Sequence, residues 1–132
     1  MSLHFASSIK WDNMQSQIAL ALTVASECFG EEGEDCYVTG LDRHVPGVVP
    51  GSPEDFAVNG FHSNGRAADL SVKRLRGGEN IPDDKMDRIF AALNARLGRV
   101  GGSPFDVLDE RHPRADSPSW TGPHIHIEFQ PL

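Results

Sequence analysis

Gly122-Pro123-His124-Ile125-His126-Ile127-Glu128-Phe129 is the stretch from which the chain reads outward. Polar and apolar residues alternate along it, the period of a β-strand with one buried face. His124, His126 and Glu128 share one side; Ile125, Ile127 and Phe129 share the other. Such a strand needs sheet partners and a layer to cover its isoleucines. Its polar side has two readings. Two imidazoles one pleat apart can reach a common ion, or they can line a solvent-facing edge.

The covering layer is legible upstream. Met14, Ile18, Ala21, Leu22, Ala25 and Phe29 recur at helical spacing behind Asp12, a good N-cap with Gln15 three residues on. The spacing predicts a helix over 13–29, with Gly30 stopping it in the left-handed conformation. Pro82, Asp83 and Asp84 suit the opening of a second helix over 83–97. Its stripe is Met86, Ile89, Phe90, Leu93 and Leu97, and Gly98 can close it. Cys36 to Thr39, Asp69 to Val72 and Phe105 to Leu108 read as further strands. Residues 1–11 read as a lead-in, with Ile9 and Trp11 available to pack. The Pro- and Gly-rich residues 41–60 and the irregular stretch 111–120 read as loops, the first forming one wall of a site. The sum is an α+β fold: two main helices packed on a small antiparallel sheet, one domain over 1–132.

Composition removes several functions. Twelve basic against 19 acidic residues give a net charge of −7, and Lys73, Arg74 and Arg76 are the nearest approach to a basic cluster. Nucleic acid and anionic membrane surfaces draw on concentrated positive charge, so neither is an expected partner. No stretch approaches the roughly 20 apolar residues of a membrane span. Residues 1–10 contain no apolar run and hence no signal peptide, so the expectation is a protein made in the cytoplasm. Cys28 and Cys36 then read as buried free thiols rather than a bridge.

A second stretch changes the weight of the first. Phe61-His62-Ser63-Asn64-Gly65-Arg66-Ala67-Ala68-Asp69-Leu70 carries an imidazole, a Gly-permitted turn and a carboxylate that opens an apolar strand. Alone, Asp69 reads equally as a turn residue capping backbone amides, with His62 an ordinary loop histidine. Together the two stretches offer two imidazoles and a carboxylate for one divalent metal, with a third imidazole beside them. Two His and one Asp leave the fourth position of a tetrahedral zinc open, the arrangement of catalytic rather than structural sites.

The spacing His62-x6-Asp69 followed by His124-x-His126 resembles the zinc signature of the peptidase M15 and lysostaphin-type group, which includes D-Ala-D-Ala carboxypeptidases, L-Ala-D-Glu endolysins and the hedgehog signalling fold. More narrowly, the chain is similar to small phage and prophage proteins of the M15 type. Residues 9–12, 38–40, 62–70, 105–108 and 124–131 carry the likeness. It implies a hedgehog/DD-peptidase-like fold, with His62, Asp69 and His126 as zinc ligands and His124 beside the metal, bonded to the water or the developing oxyanion. It implies Glu110 as the general base, with Asp109, Asp116 and His124 as alternatives, and Arg43 as the fork for a substrate carboxylate. The implied reaction is attack by zinc-bound water on an amide of a peptidoglycan stem peptide, as D,D-carboxypeptidase or endopeptidase, at the cell wall or in a virion. The chain departs from the group's pattern at Gly60, where a serine is usual, and at Pro123, where many members carry an acidic base. Those departures support an alternative, a non-catalytic metal-binding module of the virion or wall.

Overall fold

The apolar stripe of the first helix forms α1 (Ser16–Glu31), burying Ile18, Ala21, Leu22, Ala25, Cys28 and Phe29. The computed structural model describes residues 3–7, 9, 16–41, 53, 67–98, 104–112 and 122–129. The N-cap expected at Asp12, and Trp11, lie outside them. The helix ends later than Gly30 suggested. Gly33, at φ 73°, is the left-handed residue. The Glu34 amide donates to the Phe29 carbonyl and the Gly33 amide to that of Gly30, both at 3.0 Å. These are the two bonds of a Schellman cap, with the glycine one position past the cap residue.

After that turn come β2 (Cys36–Gly40) and β3 (Ala67–Ser71), preceded in the chain by β1 (Leu3–Phe5). Helix α2 (Asp83–Leu97) has the expected bounds and buries Met86, Ile89, Leu93 and Leu97. Its acidic first turn, Asp83 and Asp84, complements the positive end of the helix. β4 (Phe105–Glu110) and β5 (His124–Phe129) complete the described elements. Between 41 and 67 only Pro53 is described; it is helical, in a stretch whose punctuation argued against helix.

The strands form one sheet in the order β1-β2-β3-β5-β4. The three pairings from β2 to β4 are antiparallel, but β1 pairs parallel to β2, so the sheet is mixed rather than wholly antiparallel. The reason is topological. Parallel neighbours need a crossover, and α1 is that crossover. Three residues, Leu3-His4-Phe5, carry too little pattern to be read as a strand from sequence.

Both helices cover one face. α1 packs on β1, β2 and β5, and α2 on α1 and β4. Between them and the sheet lie Val38, Leu70, Val107, Ile125 and Ile127 in one cluster with the helix stripes. Cys28 and Cys36 are buried free thiols in that cluster. At its rim, buried Glu34 accepts from Arg74 at 2.8 Å and Lys85 at 2.8 Å, joining the end of α1 to α2. The Arg74 hydrogen bond, opposed by burial and aided by Lys85, holds its carboxyl down at about 2.

Candidate metal centre

Because the helices take Ile125 and Ile127, the other face of β5 carries His124, His126 and Glu128. Register decides what joins them. Asp69 of β3 lies opposite His126, and Glu110 of β4 lies opposite His124. The small Ala67 stands opposite Glu128 and Ser71 opposite His124. On the far side of Asp69, β2 is irregular and sets Gly40 against it, with no side chain to compete for the space. Three strands thus bring two imidazoles and three carboxylates, Asp69, Glu110 and Glu128, to one patch.

The patch is withdrawn from solvent: Asp69 is 4% and His126 8% exposed. The Asp69 Oδ1 lies 2.9 Å from His126 Nδ1 and 3.6 Å from His124 Nε2. His124 donates its Nδ1–H to the Gly122 carbonyl at 2.6 Å, which turns Nε2 toward Asp69. Gly122 reaches that position with φ 138°, a backbone conformation natural to glycine. Glu110 Oε2 is 3.6 Å from the same Nε2. The second nitrogen of His126 faces Glu128 Oε1 at 3.0 Å. Burial disfavours charge on His126, but its hydrogen bonds to Asp69 and Glu128 outweigh that and push its pKa up to about 9. In the metal-free protein this imidazole carries a proton on both nitrogens near neutral pH.

Asp69, His124 and His126 each offer one ligand atom, and these atoms lie within 4.8 Å of one another. This buried group could hold a metal ion. A buried carboxylate between two imidazoles is a donor set such an ion satisfies, since the ligands must shed protons and gain a cation in exchange.

The sequence-predicted residues divide in three. Asp69, His126, His124 and Glu110 are brought together. His62 and Arg43 lie outside the described residues, as do Gly60 and Asp116. Asp109, an alternative base, is engaged elsewhere. Arg111 donates to it at 2.8 and 2.6 Å and to Asp87 of α2 at 2.6 Å. The Arg111 hydrogen bond holds the Asp109 carboxyl below its usual range. Sequence reasoning assigned Glu128 no role. Its place on the histidine face was readable from the alternation; its bond to His126 was not. No sequence-family model, curated protein or solved structure matches the chain.

Proposed function

We propose that the protein is a zinc-dependent hydrolase of peptidoglycan stem peptides, acting as a D,D-carboxypeptidase or endopeptidase on a hedgehog/DD-peptidase-like fold, at the cell wall or in a virion. The observation that carries this is the buried Asp69 carboxylate with a ring nitrogen of His126 at 2.9 Å and of His124 at 3.6 Å. Nitrogen and carboxylate donors in this ratio suit zinc better than magnesium or calcium, which take oxygen ligands. His62, Asp69 and His126 would hold the ion. When bound, it supplies Lewis acidity, polarising a scissile carbonyl and making water nucleophilic near neutral pH.

The chain's own groups handle the proton. With its Nδ1–H held by Gly122, His124 presents Nε2 as an acceptor. It takes the proton of the attacking water and returns it to the leaving amine. Glu110, 3.6 Å away, favours the imidazolium between those two events. A base on this strand answers the problem posed by Pro123, which has no proton-accepting side chain. Arg43 would receive a substrate carboxylate.

Metal analysis and digestion of muropeptides test this together. One equivalent of zinc is expected in the wild-type protein, lost in Asp69→Ala and His126→Ala. His124→Ala should keep its zinc and lose about 10²-fold or more in cleavage rate. Loss of zinc from that variant would instead make His124 a ligand. Zinc with muropeptide binding but no cleavage by the wild type would establish the second reading, a non-catalytic wall- or virion-binding module, which Pro123 favours.

A further inference from the structure

The two histidines of β5 are held in opposite senses. His124 gives its Nδ1–H to a backbone carbonyl and turns Nε2 toward Asp69. His126 turns Nδ1 toward Asp69 and has Glu128 against Nε2. Each ring thus has one nitrogen pointed at Asp69 Oδ1 and the other occupied by an acceptor from its own chain segment. For His126 that acceptor is a carboxylate two residues on, along the same pleat.

We infer that Glu128 is a positioning residue of the metal centre: it accepts the Nε2–H of His126 and so reserves the Nδ1 lone pair for the ion. This rests on reading the Asp69–His126 pair as metal ligands. A ligating imidazole must be neutral with one chosen tautomer, and a carboxylate on its far nitrogen fixes both the tautomer and the ring plane. The sheet explains why Glu128 turns that way. In register it stands between Ala67, too small to obstruct it, and Asp106, a like charge directly opposite. On that face its Oε1 lies 3.0 Å from the His126 ring.

Zinc affinity by chelator competition and the ring tautomer by two-bond 1H–15N correlation test the inference without reference to turnover. Glu128→Ala should weaken zinc binding by about 10- to 100-fold. Glu128→Gln, which keeps an oxygen acceptor, should recover most of that loss. In zinc-loaded wild-type protein the His126 proton should sit on Nε2. Unchanged affinity in a folded Glu128→Ala variant, or a proton on Nδ1 of His126, would overturn the role of Glu128 while leaving the metal centre standing. Absence of zinc binding by the wild-type protein would remove both. The tautomer measurement needs no variant, so it decides the matter even where the substitutions impair folding.

Discussion

His126 is the residue at which a proton and a bound metal would compete. Its folded pKa of about 9 lies above the 6.5 of an unperturbed histidine, so the folded state binds the proton more tightly than the unfolded chain does. The stability this confers on metal-free protein is complete below about pH 6.5 and lost as pH rises through about 9. Denaturant midpoints of chelator-treated protein should therefore fall across that window, and His126→Gln should flatten that part of the profile. Zinc bound through His126 would have the opposite dependence, because it would displace the proton from Nδ1, so its affinity should climb over the same range. A pH-independent midpoint from about 6 to about 9.5 in metal-free protein would count against the ion pairing that sets this window. Little of this was legible in the sequence. Alternation says which side of a strand a residue faces; it does not say that Glu128 folds back on its neighbour two positions earlier.

At the scale of elements, the end of α1 shows where pattern reading stops. Gly30 and Gly33 are three residues apart, and either could end a helix. The first is passed over because capping depends on which carbonyls find donors, and Glu34 and Gly33 supply them to Phe29 and Gly30. Gly33 has φ 73° and open space where a Cβ would stand, so substitution there tests backbone conformation without steric interference. Gly33→Ala should cost about 1–2 kcal/mol in urea unfolding, and Gly33→Asn less, since Asn tolerates the left-handed region. Equal stability of the alanine variant and the wild type would show that the cap is not needed. By contrast, α2 and β5 were legible to the residue. Their apolar positions are numerous, their period is unbroken, and proline, glycine or loop sequence marks their ends.

At the scale of the whole molecule, β5 serves two sides: the helices take Ile125 and Ile127, and the buried group that could hold a metal includes His124 and His126. Asp69 arrives from 57 residues away. No periodicity forecasts that pairing; the ligand chemistry of the two stretches and the family signature they resemble were the sequence signals that they meet. A metal held there would be linked to the fold, because an ion bridging Asp69 and His126 would tie β3 to its neighbour β5 and find no such site in the unfolded chain. A ligand at about 100 times its dissociation constant adds about 2.7 kcal/mol to stability. For a chain of this size that corresponds to a rise in Tm of roughly 10 °C. Zinc should produce such a rise in wild-type protein, a chelator should reverse it, and Asp69→Asn should remove most of it while leaving the metal-free protein folded. If zinc raised the Tm of Asp69→Asn as much as that of the wild type, the ion would be binding elsewhere, and the β3–β5 pairing would have no part in holding it.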